Sequence, residues 1–458
     1  MVKHKLPIEY NSKQPIGVFS VDAYNYLLLD KLFDDFRIIS PNKQSWLTEL
    51  PVSAQISNFA IPFEKATDSV SKFVSSKKFV DTYKSERTRK YVMYSPLDPP
   101  YKVNPLTFLM NSPTIAHAYE NKRYFRDEFA DLIRVPEYEI KYMNELDRAA
   151  SFRDLWDRFE GPFILQDEES SGSKGTHAVR NYDDYLDAVR SLKKFSRGRT
   201  TVASKFIEGE PCSIQVCITK YGIFSGGIQR QLVDSKDLCN LKLEGAAKWC
   251  GGEIGNDYPE IVQHRAQEIA SVIGSELSSH GYKGIFGVDL IVTADNDVYA
   301  IEINARMTGY SHIISDLQLM NKKIPFMLLH VLELGNFNYE VTDSNALPSG
   351  GRYNKPGSLL IINNKSENDY VLKQDITPGV YKVVGDKVEF VKTGYSLSDV
   401  RGDDMFLLFC RYSAGESVPS GRRIVKVMKL GKTMAKSDIN KKTKQLIGAI
   451  KNTFDIPA

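Results

Sequence analysis

The sequence predicts an α/β N-terminal domain (residues 1–112), a central α+β domain (residues 113–333) and a small C-terminal β-rich segment (residues 334–458) that ends in a helix. Three observations lead there. Short apolar runs alternate with a helix-like stretch at the start, which is βαβ patterning. The middle third carries two glycine-punctuated hairpin patterns. A chain of 458 residues exceeds one ordinary core and suggests about three domains at ~100–200 residues each.

Each unit follows from local signals. Residues 16–20 read as a buried strand, 23–36 as a helix and 37–40 as a strand again, with further strands at 91–94 and 107–110. Ser112-Pro113 is a helix entry, with Ser112 as N-cap and Pro113 at the first helical position, and a helical pattern runs on to residue 133. Strand and helix signals then alternate to about residue 333, after which Gly and Asn become frequent. The last unit has strand-like runs at 358–362, 379–384 and 405–410, followed by a polar, Lys-rich stretch read as a terminal helix.

Composition narrows the function class. Hydrophobic residues make up 42% and charged residues 26%, the mix of a soluble packed protein. Sixty Lys+Arg against 57 Asp+Glu give a net charge of only +3, so no basic field for nucleic acid or an anionic membrane is expected. The five cysteines, at 212, 217, 239, 250 and 410, have neither metal-ligand nor disulfide-framework spacing. The polar first residues lack a signal-peptide core, and no run of about 18 apolar residues occurs. A cytoplasmic location is the expectation.

The most informative stretch is GIFGVDLIVTADNDVYAIEINARMTG, residues 284–309. It reads as a β-hairpin with Asp295 and Asn296 at the centre of the turn. If Ala294 faces Asp297, counting places Asp289 opposite Glu302, with Asn304 on the same face. Val288, Leu290, Val292, Tyr299, Ile301 and Ile303 then point to the other face. Opposed carboxylates repel, so the pair needs a cation or a basic side chain. All-oxygen ligation by Asp289, Glu302 and the Asn304 carbonyl suits a hard cation such as Mg²⁺. Arg306 adds a fork for an anion. Acids on one hairpin face are ordinarily just solvated, but D…ExNxR in one register is unusual.

A second constellation, PFILQDEESSGSKGTHAV, occupies residues 162–179. Strands at 163–165 and 177–179 flank a small-residue turn. Gly172 and Gly175 permit close backbone approach, while Ser171, Ser173, Thr176 and the loop N–H groups can donate to phosphate oxygens. Lys174 supplies positive charge. Such a turn alone is weak evidence, and its place upstream of the acidic hairpin in the same domain is what gives it weight.

Taken in this order, IEINAR, GIFGVD, the Gly/Ser hairpin and VASKFIEG resemble the ATP-grasp superfamily over roughly residues 113–310. The resemblance is to biotin-carboxylase-like carboxylate–amine ligases in particular, whose preceding domain the N-terminal unit also resembles. It implies a lid over about residues 136–204 and assigns roles by position. Lys122 in ENKRYF matches a lysine on the ATP phosphates. Ser204, Lys205 and Ile207 match the hinge that hydrogen-bonds adenine. Asp289, Glu302 and Asn304 match the metal ligands, and Arg306 an arginine on phosphate or the activated acyl group. This sequence departs from the pattern at Gln166, where a second phosphate lysine is usual and for which Lys174 is the compensating cation. It departs again at Ser204, where an acid is usual, leaving Glu210 or Glu208 for the ribose. His177 reads as a structural or rim residue.

The activity so implied is ATP-dependent formation of a C–N bond through an acyl phosphate, with ATP and Mg²⁺ (or Mn²⁺) as cofactors. Positioning and charge stabilise the transition state, with Arg306 and then Arg230 as oxyanion donors. The expected partners are a small-molecule carboxylate and an amine, not nucleic acid or membrane. The oligomeric state stays open, a homodimer included. Two alternatives are a biotin-type carboxylase and a non-catalytic ATP sensor or scaffold. KVMKLGK, residues 426–432, superficially resembles a biotin attachment sequence, yet a polar tail follows it instead of the strands a biotinyl domain requires. The retained D…ExNxR set speaks against the sensor.

Overall fold

The structure is a computed structural model that describes residues 6–42, 55–61, 76–84, 89–96, 108–169, 175–195, 200–241, 248–255, 258–350 and 353–457. Five strands, β1 (Ile16–Phe19), β2 (Phe36–Asn42), β3 (Gln55–Ile61), β4 (Lys90–Val92) and β5 (Phe108–Leu109), form a parallel sheet in the order β3-β2-β1-β4-β5. That is the doubly wound arrangement βαβ patterning calls for. The segment expected as one helix over 23–36 is a 3₁₀ helix over Ala23–Lys31, and its row of buried Tyr and Leu packs under β1 and β2.

The helix expected from Pro113 to residue 133 is two helices, α1 (Pro113–Glu120) and α2 (Lys122–Phe129). Pro113 opens α1 as expected, although the Ser112 hydroxyl makes no cap bond. The break falls at Asn121, which is extended at φ −69 and ψ 121 and accepts the Tyr124 N–H through its side chain at 3.0 Å. An Asn that caps a new N-terminus competes with continuation of the old helix. Lys122 thereby becomes the first residue of α2, and its N–H donates to the Glu168 carbonyl at 2.9 Å.

A four-stranded sheet follows where the lid is expected, and is called the lid sheet below. Strands β6 (Tyr138–Tyr142), β7 (Phe163–Asp167), β8 (Thr176–Val179) and β9 (Thr200–Lys205) pair in the order β6-β9-β7-β8. Helices α3 (Ala149–Phe159) and α4 (Tyr182–Phe195) cover its apolar side through Leu155, Phe159, Tyr185 and Leu192. Gly172, Ser173 and Lys174 lie outside the described residues.

The remaining sheet has ten antiparallel strands and runs from the central domain straight into the C-terminal segment. Its members are β10 (Glu210–Thr219), β11 (Gly222–Val233), β12 (Trp249–Ile254), β13 (Gly284–Val292), β14 (Val298–Asn304), β15 (Gly357–Asn363), β16 (Gly379–Val384), β17 (Lys387–Thr393), β18 (Met405–Cys410) and β19 (Arg423–Leu430), in the order β14-β13-β10-β11-β12-β15-β19-β18-β16-β17. Helix α5 (Glu260–Ser279) packs on β10 through Val262, Ala266 and Ile273. Helices α6 (Ser311–Met320) and α7 (Phe326–Leu334) tie this sheet to the N-terminal core, and α8 (Lys441–Phe454) closes the C-terminal side. The Lys-rich stretch expected as helix is β19 first, and the helix begins only at Lys441. A strand covered on both faces explains this, because Ile424, Val425, Lys426, Val427 and Met428 are all buried in succession.

Gly284, which opens β13, has φ +77, and an added Cβ would lie 2.3 Å from Nδ1 of His330. That nitrogen accepts the Ile285 N–H at 3.0 Å. Gly284→Ala is therefore expected to lower stability by about 2–4 kcal/mol through backbone strain and a core clash, read as a lowered denaturant midpoint. Burial also holds the His330 ring down to about 3. The folded state keeps the ring neutral while the unfolded chain titrates near ~6.5, so this contribution is intact above that pH. It declines by up to about 1.4 kcal/mol per pH unit on the way down to pH 3. Equilibrium unfolding at pH 7 and pH 5 measures the slope, which His330→Asn should flatten.

Candidate active site

The lid sheet, the ten-stranded sheet and the N-terminal domain enclose a cavity of about 1310 Å³. The acidic hairpin forms part of its wall, and the expected pairing of Asp289 with Glu302 is present. It arises differently from simple counting. Thr293, not Ala294, faces Asp297, with its N–H donating to the Asp297 carbonyl at 2.9 Å and Asn296 left-handed at φ 64. Pairing runs Val292↔Val298, Ile291↔Tyr299 and Leu290↔Ala300, then shifts so that Asp289 meets Glu302. Ile301 is the extra residue of a β-bulge, and it restores the register lost at the turn. The bulge also corrects the facing. Val298, Ala300 and Ile303 enter the core, whereas Ile301 lines the cavity and Tyr299 lies under the Arg134 guanidinium.

The two acids stand in unlike electrostatic settings. Burial and then the facing Glu302 push Asp289 up to about 7, although Gln231 Nε2 at 2.8 Å and Asn304 Nδ2 at 3.1 Å donate to it. Burial works to raise Glu302 too, but Lys122, whose Nζ is 3.4 Å away, outweighs it together with Arg306 and holds Glu302 low. The basic side chain that an opposed pair requires is thus Lys122, only 3% exposed. The donor set fits a hard cation: two carboxylates face each other from adjacent strands, one of them raised by burial and by the other's charge. Among the described residues no three His, Cys, Asp or Glu side chains converge, so an amide must complete the set. Asn304 is in place, with its Oδ1 accepting from Arg306 Nη1 at 2.8 Å. Arg306 lines the cavity and pairs through Nε with Glu120 at 3.4 Å.

Opposite these, Gln166, Thr176, Ser204, Lys205 and Ile207 line the lid side. Gln166 is 4% exposed and donates to Thr176 Oγ1 at 3.3 Å. The Lys205 and Phe206 N–H groups are committed to the Glu137 and Pro162 carbonyls, which joins the segment expected as the hinge to the lid sheet. The Gly175 carbonyl accepts the Asp167 N–H and fixes the base of the turn. His177 is on the side of β8 away from the cavity, since Thr176, Ala178 and Arg180 are the residues that line it.

The structure does not bring Arg230 and Glu210 to this cavity. On β11 the cavity-facing residues are Gln229, Gln231 and Val233, so alternation turns Arg230 toward α5. There its Nε pairs with Glu210 at 2.6 Å, and its guanidinium lies 5.6 Å over the Tyr258 ring. Sequence reasoning also missed several residues. Ser213, Gln229 and Gln231 face the acids, and Arg180 sits 5.5 Å over Phe206 beside the hinge. Arg126, one helical turn after Lys122, is wholly buried. The i, i+4 spacing from Lys122 was the available signal.

Arg126 donates through Nη1 to the carbonyl of Ile301, the bulge residue, and its Nε and Nη2 are buried without a hydrogen-bond partner. Burial lowers its guanidinium to about 10. Arg126→Met is expected to leave thermal stability unchanged or higher, because an incompletely paired buried charge is replaced by an apolar chain. It should raise the Mg²⁺ concentration needed for nucleotide binding by roughly 10-fold, as support for the Glu302 register is lost. Calorimetric titration at several Mg²⁺ concentrations checks this.

A family model described as an ATP-grasp domain matches residues 119–310, which hold the lid, the hinge and the acidic hairpin. Solved structures share the fold along nearly the whole chain. Biotin carboxylase from Campylobacter jejuni aligns at TM-score 0.61 and 13% identity over 94% of this chain and 89% of its own. L-amino acid ligase from Bacillus licheniformis aligns at 0.56 and 12% over 92% and 94%. N5-carboxyaminoimidazole synthase from Aspergillus clavatus, in complex with ADP and 5-aminoimidazole ribonucleotide, aligns at 0.53 and 12% over 92% and 95%. No curated protein matches the chain. Among the described residues no helix is long and apolar enough to cross a membrane.

Proposed function

We propose that this protein is an ATP-dependent ligase that joins a small-molecule carboxylate to an amine through an acyl phosphate, releasing ADP and phosphate. The observation that carries the reading is the convergence of Lys122, Asp289, Glu302, Asn304 and Arg306 on one cavity of the ATP-grasp domain. Asp289, Glu302 and Asn304 would hold Mg²⁺, or Mn²⁺, which supplies charge neutralisation at the phosphate oxygens. Lys122, at 3.4 Å from Glu302, is placed to reach a phosphate beside that cation. Gln166 and Thr176 donate from the lid, and Ser204 and Ile207 border the base. Arg306 orients the acid and steadies the developing oxyanion. Lid residues exclude water, which would otherwise hydrolyse the acyl phosphate.

Two observations weigh against the carboxylase alternative. Residues 426–430 of KVMKLGK belong to β19, an interior strand between β15 and β18, and the Met428-Lys429 pair is held within it, with Lys429 half-buried and donating to the Asp403 carbonyl at 3.4 Å. A carrier lysine must be accessible. The test is phosphate release across a panel of acids and amines. A ligase requires one of each, a carboxylase responds to bicarbonate with biotin, and hydrolysis indifferent to both would remove the ligase reading.

A further inference from the structure

Two short segments meet at the cavity wall with their charges crossed. One is the break between α1 and α2, where Glu120, Asn121 and Lys122 follow one another, and the other runs from Glu302 at the end of β14 to Arg306. Lys122 Nζ lies 3.4 Å from a Glu302 oxygen, and Glu120 Oε1 lies 3.4 Å from Arg306 Nε. In a continuous helix residues 120 and 122 would stand about 200° apart, on nearly opposite faces. The break at Asn121 is what lets both meet the same strand.

The proposed reaction uses Lys122, Glu302 and Arg306 but leaves Glu120 without a part. Glu120 lines the cavity, and its Oε1 is buried with no hydrogen-bond partner. Its effect falls on Arg306. Burial disfavours the charge of that guanidinium, and Glu120 is the largest of the influences that outweigh burial and hold it charged. Arg306 Nη1 donates to Asn304 Oδ1 at 2.8 Å while Nε faces Glu120. Two of the three guanidinium nitrogens are thereby placed, and Nη2 is left for an oxyanion. A planar fork delivers its hydrogen bonds only when its plane is fixed, because they weaken steeply with misalignment.

We infer that Glu120 is a positioning residue, which sets the plane of the Arg306 guanidinium toward the oxyanion and acts on the reaction only through that side chain. This deepens the ligase reading, on which it rests. Charge alone predicts the opposite effect on binding. A carboxylate beside an anion site repels the anion, so its removal should tighten binding if Glu120 does not position Arg306.

The probe is inorganic phosphate, titrated calorimetrically into full-length protein saturated with Mg·ADP, so that no turnover is needed. Glu120→Gln, which keeps the shape of the side chain, should weaken phosphate by roughly 10-fold, about the loss of one charge-assisted hydrogen bond. Affinity for Mg·ADP should stay unaltered. Glu120→Asp retains the charge and should recover part of the loss, whereas a packing role would rank Gln above Asp. In an Arg306→Gln background Glu120→Gln should cost nothing more, because only the repulsion between Glu120 and phosphate remains. Four results overturn the assignment: phosphate bound equally or more tightly by Glu120→Gln, Asp falling below Gln, a further loss in the Arg306→Gln background, or no phosphate binding by the wild-type Mg·ADP complex. Failure of the ligase reading would appear separately, as phosphate release independent of acid and amine.

Discussion

Glu302→Gln is expected to abolish Mg·ATP-dependent turnover, by a factor on the order of 10²–10³, while the protein stays folded. Glu302 faces Asp289 across the hairpin and is the acid held low by Lys122 and Arg306 after burial is overcome. It is therefore the carboxylate that remains charged. Asp289, raised to about 7, is the weaker anion of the two. The substitution keeps the shape of the side chain and ends the repulsion between the acids. It also leaves the buried Lys122 to pair with Asp289. These stability effects oppose each other, so little change in melting temperature is expected. Turnover measured against Mg²⁺ concentration decides the matter, and unchanged turnover at limiting Mg²⁺ would sink the metal assignment.

Lys122→Ala is expected to raise the ATP requirement by roughly 10- to 150-fold, since a charge-assisted phosphate contact contributes about 1.5–3 kcal/mol. The side chain begins α2, is 3% exposed, and already meets an acid at 3.4 Å, so it enters the cavity preorganised. The same change releases Glu302, and an accompanying shift in Mg²⁺ dependence follows from that contact. Lys122→Arg should recover part of the loss, because charge is restored with a different reach. ATP affinity unaltered in Lys122→Ala would move the phosphate contact elsewhere.

The sequence by itself determined the acid pair and its domain. Period-two alternation is local, so a hairpin carrying Asp289 and Glu302 could be read from residues 284–309, although strict alternation from the true turn misplaces the pair by one and the bulge at Ile301 is what brings them opposite; the resemblance to the ATP-grasp superfamily rested on the order of a few short segments. The break at Asn121 was also written locally, as an Asn N-cap inside a helical pattern, but periodicity on both sides concealed it. Two features depended on long-range contacts. Ile301 becomes a bulge under the Arg126 guanidinium, 175 residues distant in sequence, and no count along β14 reveals which residue a partner strand will skip. Arg230 looked like an anion donor, yet β11 turns it toward Glu210 and Tyr258, because a strand's facing is set by its neighbours β10 and β12. The cluster of Asp22, Arg411 and Arg423 joins positions about 400 residues apart. Its members carry no motif, and only the packing of the N-terminal domain against β18 and β19 brings their charges together.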